Sequence, residues 1–149
     1  VTAQPDGAVA LLRGAGIDAH HDAAIEGGVW EKVAFNAALN SIATVTGLTV
    51  GGMDTPAGRR VAFAIAREVA ATAAAKGLSI DIARIEGKID FALKHHRQHK
   101  ASMLQDRLAG RRTEIEAING AVAREAERLG VEVPVTATLA DLVRLNEPV

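Results

Sequence analysis

Three polar side chains recur at intervals of four in one alanine-rich segment: Lys32, Asn36 and Asn40. Each step of four residues turns an α-helix by about 40° beyond a full turn, so the three share one stripe about 12 Å long. Such a stripe offers one cation with amide donors and acceptors, which could hold a small hydroxylated carboxylate or ketone. Lys and Asn are more often solvent-exposed, so the spacing alone leaves a ligand site and a solvated stripe equally open.

The residues around this stripe favour a buried helix. They are almost all apolar: Trp30, Val33, Ala34, Phe35, Ala37, Ala38 and Leu39. A helix so apolar around the rest of its circumference is expected to be covered on several sides. Asparagine inside a helix lowers helix stability, and two of them here bring no evident structural gain.

A second polar cluster lies later in the chain, where Ser102 and Glu114 each fall at the start of a predicted helix. Exposed N–H groups at helix starts favour anions. Taken alone, Ser102 is more simply explained as a helix N-cap, and Glu114 as an acidic first-turn residue.

Composition excludes several classes of protein. The 149 residues suit one domain, and 48% hydrophobic residues provide enough apolar material for a core. There is no Cys, so disulfides and thiolate chemistry are absent, which suits a reducing compartment. A net charge of −1 and the lack of a long apolar run argue against nucleic-acid and membrane partners. We therefore expect a cytoplasmic protein.

The pattern predicts an all-α fold. Aromatic residues make up only 3%, and Ala, the strongest helix former, is abundant. The predicted helices cover about 8–12, 25–46, 56–76, 82–96, 102–108, 115–129 and a last segment from Pro134. Thr113 and Glu116 have the spacing of a capping box, and we keep one helix through Asn119-Gly120 although that pair alone favours a turn.

Two further features of the sequence each allow two interpretations. His95 and His99 could together ligate a metal, but no third ligand is evident, so we expect a solvated basic helix end and no metal. The small residues between Pro56 and Lys76 suit close helix packing, either in the core or at a dimer face.

Three stretches together resemble the C-terminal domain of ketopantoate reductases, also called 2-dehydropantoate 2-reductases. They are Trp30-Glu-Lys32-Val-Ala-Phe-Asn36-Ala-Ala-Leu-Asn40 with Thr46-Gly47-Leu48-Thr49, Ser102-Met-Leu-Gln-Asp-Arg with Arg112-Thr113-Glu114-Ile-Glu-Ala-Ile-Asn119-Gly120, and Gly130-Val-Glu-Val-Pro134. The resemblance covers nearly the whole chain from about Gly16 onward.

The resemblance implies a domain organisation and a reaction. Family members carry an N-terminal Rossmann domain, then a helical domain like that of 6-phosphogluconate dehydrogenases. They reduce ketopantoate to pantoate with NADPH, on the route to pantothenate, and often form homodimers. On this basis residues 1–21 are a linker or helix left from a missing nucleotide-binding domain, and residues 22–149 are the substrate-binding and dimerisation domain. Gly14-Ala-Gly16-Ile-Asp-Ala19 follows a helical stretch, so we do not take it as a dinucleotide loop.

The resemblance also implies residue roles. Lys32 matches the catalytic lysine, Asn36 and Asn40 match substrate-binding asparagines, and Ser102 matches the serine that contacts the substrate carboxylate. Glu114 matches the acidic residue that binds the substrate hydroxyl and supports catalysis.

One position departs from the family pattern, because many members carry a further substrate-contacting asparagine where this chain has Val50. Two alternatives follow: a related reductase of another 2-keto acid, or a non-enzymatic helical module that binds a partner or dimerises. The isolated fragment is expected to be inactive and to depend on the missing domain for NADP.

Overall fold

The computed structural model describes residues 5–22 and 25–147, and it confirms the all-α prediction. Within those ranges there are seven α-helices, one 3-10 helix and no strand. The α-helices are α1 (Pro5–Gly14), α2 (Ile25–Thr46), α3 (Pro56–Ala75), α4 (Ile82–His95), α5 (Ser102–Leu108), α6 (Asn119–Leu129) and α7 (Pro134–Leu145), and the 3-10 helix spans Val50–Met53. None of the helices that the structure describes is both long and apolar enough to cross a bilayer.

Helix α2 lies at the centre of the fold and packs against α3, α4, α5 and α7. It ends where predicted, because Gly47 follows it with a φ of 73° that side chains rarely adopt. Helix α3 also begins where predicted. The Thr55 side chain accepts a hydrogen bond from the Gly58 N–H at 3.0 Å, and Pro56 occupies the first turn.

The small residues of α3 belong to the core. Ala62, Ala66 and Ala73 are at most 1% exposed, and α3 packs against α2, α4, α6 and α7. Alanine at these positions lets the neighbouring helices approach closely. The structure thus favours the core interpretation of this stripe over a dimer face.

The segment before α2 matches the expectation that it holds no dinucleotide loop. The residues from Gly14 to Ala19 come after helix α1, and residues 17–22 lie in no helix or strand. The expected domain boundary adjoins residues 23–24, which lie outside the described residues, as do residues 1–4 and 148–149.

The predicted start of α6 is wrong. The helix begins at Asn119 rather than at 115, because Ile118 has φ −107° and ψ −92°, which breaks the helix. The capping box is wrong for the same reason: the Thr113 hydroxyl donates to Glu147, and Glu116 pairs with Arg144. Asn119 and Gly120 are themselves helical, as predicted, and the turn lies before them at residues 115–118.

This break gives Asn119 a structural role. Asn119 is fully buried, and its side-chain amide donates to the backbone oxygen of Ala37 in α2 at 3.3 Å. The start of α6 is thereby tied to the middle of α2.

The expected cap at Ser102 is also wrong. Ala101 is the N-cap of α5, no side chain caps the helix, and Ser102 is its first residue. The Ser102 hydroxyl is consequently not used to cap α5.

The start of α7 is capped by a side chain from another helix. The Glu68 carboxylate of α3 accepts hydrogen bonds from the N–H groups of Val135 and Thr136 at 2.9 and 2.7 Å. Both are free N–H groups of a helix first turn, where a negative charge is favourable. Glu68 thus fixes the position of α7 on α3.

We expect Glu68→Ala to lower the free energy of unfolding by about 1–2 kcal/mol, because it removes two charge-assisted hydrogen bonds. Urea unfolding followed by circular dichroism measures this loss. The matched control is Glu132→Ala, since Glu132 is exposed and has no ion-pair partner among the described residues. Equal losses in the two variants would contradict the assigned role.

Candidate active site

Two adjoining cavities lie along α2. The first, which we call the polar cavity, has a volume of about 240 Å³, and its polar lining comes from α2, α5 and the residues after α4. These polar residues are Asn36, Asn40, His96, His99 and Ser102. The second, the lysine cavity, has a volume of about 560 Å³ and lies between α2 and α4. The cavities share the lining residues Phe35, Ala92 and His96, so they form a continuous groove.

The structure brings three of the five predicted site residues together. Asn36, Asn40 and Ser102 all line the polar cavity, although Ser102 is some sixty residues from the asparagines in sequence. Asn40 is only 6% exposed, and its side-chain amide has no hydrogen-bond partner among the described residues. The amide atoms are not among the buried atoms that lack a partner, so they reach the cavity, where water or a ligand can donate and accept hydrogen bonds.

Lys32 lines the neighbouring lysine cavity, one helical turn before Asn36. Its side chain is exposed, which differs from the expectation that residue 32 lies in a sheltered cleft. No acidic group within the described ranges forms an ion pair with it. The ammonium group is therefore free to meet a ligand that extends out of the polar cavity.

Glu114 is not brought to the other four residues. It is exposed, it lies in the bend between α5 and α6, and it is absent from the lining of both cavities. Its backbone oxygen accepts from the N–H groups of Ala117 and Ile118 at 3.0 and 3.1 Å, which holds the local turn. The structure gives no contact between Glu114 and Lys32.

A buried ion-pair cluster in the lysine cavity was missed by the sequence analysis. Glu31 is 6% exposed and accepts hydrogen bonds from Arg84 and Lys88 of α4. Burial alone would raise the pKa of Glu31, but the hydrogen bonds and charges of Arg84 and Lys88 outweigh it and lower the pKa below its usual 4.5. The one sequence signal for this cluster was that Arg84 and Lys88 lie four residues apart on one predicted helix, because neither lies near Glu31 in sequence.

The wall of the polar cavity opposite α2 is a tightly held turn. The N–H of Val50 donates to the backbone oxygen of His99 at 2.9 Å, and the N–H of Gly51 donates to that of Arg97 at 3.1 Å. A side chain at Gly51 would come within 2.6 Å of the Arg97 Cα, so only glycine permits this approach. The turn places His96 and His99 in the cavity lining, a location that spacing did not predict.

The histidines do not form part of a larger ligand cluster. His95, four residues before His99, instead stacks on Phe91 with ring centroids 4.4 Å apart. Across residues 5–22 and 25–147, no three His, Asp or Glu side chains come together as a metal site would require.

The comparisons with known proteins agree with this fold and groove. The model of the family described as ketopantoate reductase PanE/ApbA C terminal matches residues 24–147. The 2-dehydropantoate 2-reductase of Halobacterium salinarum is 36% identical over 120 residues, covering 80% of this chain and 39% of that protein. This chain thus spans about two-fifths of the length of that relative.

Solved structures give the same result. The 2-dehydropantoate 2-reductase of Methylococcus capsulatus superposes with a TM-score of 0.79 at 29% identity, covering 95% of this chain and 49% of that one. The ternary structure of D-mandelate dehydrogenase with NADH and anilino(oxo)acetate superposes with a TM-score of 0.84 at 25% identity, covering 94% and 59%.

The fold is therefore the helical domain that these oxidoreductases share. The chain belongs to the ketopantoate reductase family and corresponds to its C-terminal domain.

We expect Glu31→Gln to lower the free energy of unfolding by about 1–2 kcal/mol at about pH 7, because it removes the buried charge that Arg84 and Lys88 bind. The pKa of Glu31 is lowered in the folded state, so its stabilisation is present above its unfolded pKa and is lost as the pH falls through the folded pKa. The difference between the two proteins should narrow as the pH falls below 4.5 and close once the pH lies below the folded-state pKa of Glu31.

Urea unfolding at a series of pH values tests this expectation. Glu132→Gln, at an exposed position outside the helices with no ion pair among the described residues, is the matched control and should be nearly neutral throughout. A gap that stays constant from about pH 7 to well below the usual Glu pKa of 4.5 would refute the role of the Glu31 charge.

Proposed function

We propose that this chain is the substrate domain of an oxidoreductase that reduces a 2-keto acid, with ketopantoate as the first candidate and pantoate as its product. The observation that carries the proposal is the nearly buried, unpartnered amide of Asn40, which faces a cavity also lined by Asn36 and Ser102. The family membership, the names of the relatives and the neighbouring Lys32 support the same reaction.

The side chains fit the requirements of this chemistry. A hydride added to the ketone carbon leaves negative charge on the ketone oxygen, and that oxygen must then gain a proton. The Lys32 ammonium stabilises the charge and donates the proton, which forms the hydroxyl of the 2-hydroxy acid. Because Lys32 is exposed, solvent can restore its proton.

The asparagines and the serine serve a different purpose. Asn36 and Asn40 donate and accept hydrogen bonds without adding charge, so they orient the keto and hydroxyl oxygens of the substrate. The Ser102 hydroxyl binds the carboxylate. The apolar lining around these groups, which includes Leu39 and Val50, excludes water from the hydrocarbon part of the substrate.

The hydride comes from a reduced nicotinamide cofactor, for which we propose NADPH. The described residues contain no strand–glycine loop–helix unit, so a separate nucleotide-binding domain in the intact protein would hold the cofactor's phosphates. The open lysine cavity, with Phe35 and Phe91 in its lining, offers an apolar surface beside Lys32 where a flat ring can lie. This chain alone would therefore lack activity.

Three family properties remain part of the proposal. Glu114 lies outside the linings of both cavities, so the family resemblance alone supports a contact of its carboxylate with the substrate hydroxyl. We also propose a homodimer and a place on the route to pantothenate.

In the intact protein, we expect Lys32→Ala to lower kcat with ketopantoate and NADPH by a factor of about 10²–10⁴, because the proton donor is lost. Lys94→Ala is the control, since Lys94 pairs with Asp90 at 2.6 Å and lines neither cavity. Steady-state absorbance at the NADPH band measures both variants. Near-normal kcat in Lys32→Ala would overturn the proposed role.

A second candidate function is the reduction of a 2-keto acid that lacks the hydroxyl of ketopantoate. Val50, which is 3% exposed, lines the polar cavity where many family members place an asparagine, so the side chain at this position offers no hydrogen bond. The similarity to D-mandelate dehydrogenase, whose ternary structure contains NADH and anilino(oxo)acetate, favours the same alternative. This second function implies a substrate with a branched or aromatic side chain.

We expect Val50→Asn to lower KM for ketopantoate by a factor of about 3–10, the value of one added neutral hydrogen bond. The matched control is 3,3-dimethyl-2-oxobutanoate, which is ketopantoate without its hydroxyl and should show no gain. In the unmodified protein, a higher kcat/KM for the hydroxyl-free acid or for phenylglyoxylate than for ketopantoate would establish the second function in place of the first.

A further inference from the structure

The polar cavity contains no permanently charged side chain. Its lining has no Lys, Arg, Asp or Glu, and its neutral polar groups are those of Asn36, Asn40 and Ser102. The two imidazoles of His96 and His99 are therefore the lining groups that can acquire a positive charge. Within this lining, they are the groups that could add a charge to the hydrogen bond that Ser102 offers a carboxylate.

Backbone hydrogen bonds hold the main chain of both histidines, whose side chains are exposed. The N–H of His96 donates to the Ala92 oxygen at 2.9 Å at the end of α4, and the N–H of His99 donates to the His96 oxygen at 3.0 Å. The His99 oxygen in turn accepts from Val50 at 2.9 Å. The edge of the His96 ring packs against Phe91, with centroids 5.7 Å apart.

The acidic groups that lie closest to the two histidines in sequence, or that lie on α4, form ion pairs with basic side chains. Asp90 is bonded to Arg59 and Lys94, and Asp54 is paired with Arg59. These carboxylates do not line the polar cavity, so none of them competes there with a substrate carboxylate.

We propose that His96 and His99 recognise the substrate carboxylate together with Ser102 and so make the cavity selective for 2-keto acids over neutral ketones. This assignment rests on the proposed function, since it names what distinguishes the substrate of that site. An imidazole N–H donates a hydrogen bond in either protonation state, and the imidazolium adds a charge-assisted bond to a carboxylate. Ser102 lies three residues after His99 at the start of α5, so one short stretch of chain supplies all three groups to the cavity lining.

The test measures equilibrium binding to the intact protein, by calorimetry, of 3,3-dimethyl-2-oxobutanoate and of its methyl ester. The two probes differ in charge at one group. We expect His96→Leu and His99→Leu each to weaken binding of the acid about tenfold and to change binding of the ester less than twofold. His99→Gln, which keeps a donor without the charge, should fall between the unmodified protein and His99→Leu.

His95→Leu is the matched control, because His95 lies at the same end of α4, stacks on Phe91 and does not line the polar cavity. It should bind both probes as the unmodified protein does. Thermal unfolding of each variant checks that the fold is retained.

The outcomes separate this inference from the proposed function. Equal binding of acid and ester by the unmodified protein, or equal losses for both probes in the leucine variants, would overturn the histidine assignment while turnover of a 2-keto acid still stood. Selective loss of acid binding would support the assignment even if no 2-keto acid were turned over. The absence of turnover would refute the proposed reaction and not the histidine assignment.

Discussion

The side chain of Asn40 is almost covered by the packing of α2 against its neighbours, and its amide, to which no described group forms a hydrogen bond, opens into the polar cavity. The amide donor and acceptor must therefore be satisfied by water or by a ligand in that cavity. The site depends on this constraint. The groove has two parts: in the sheltered polar cavity, neutral amides orient a substrate, and in the open lysine cavity, the exposed Lys32 can exchange protons with solvent.

The surrounding structure holds α2 in place from several directions. The amide of Asn119 bonds to the Ala37 oxygen, and the Arg107 guanidinium donates to the Thr44 oxygen at 2.6 Å. On the other side of the groove, Arg59 joins Asp90 of α4 to Asp54, which follows the 3-10 helix. These contacts link α6, α5 and α4 to the cavity walls, so helix packing sets the positions of the α2 amides, whereas the imidazoles of His96 and His99 lie on the turn that Val50 and Gly51 hold.

Much of this fold could be predicted from sequence, because its boundaries depend on local chemistry. Gly47 ends α2 and Pro56 begins α3 for reasons that act within one turn of the chain. The start of α6 was predicted wrongly because the apolar spacing of residues 115–118 fits a turn as well as a helix. The partners of Glu31 were missed because Arg84 and Lys88 lie 53 and 57 residues away, and pairing at that distance is decided by helix packing.

The most direct test concerns the Asn40 side chain itself. In ¹⁵N-labelled intact protein, the Asn40 side-chain N–H₂ resonances can be assigned by their loss in Asn40→Ala and followed during titration with ketopantoate. The account predicts a saturable shift of these resonances, whereas an exposed amide that lines neither cavity, such as that of Asn146, stays unchanged. Unchanged Asn40 resonances at a ketopantoate concentration that saturates turnover would contradict the account.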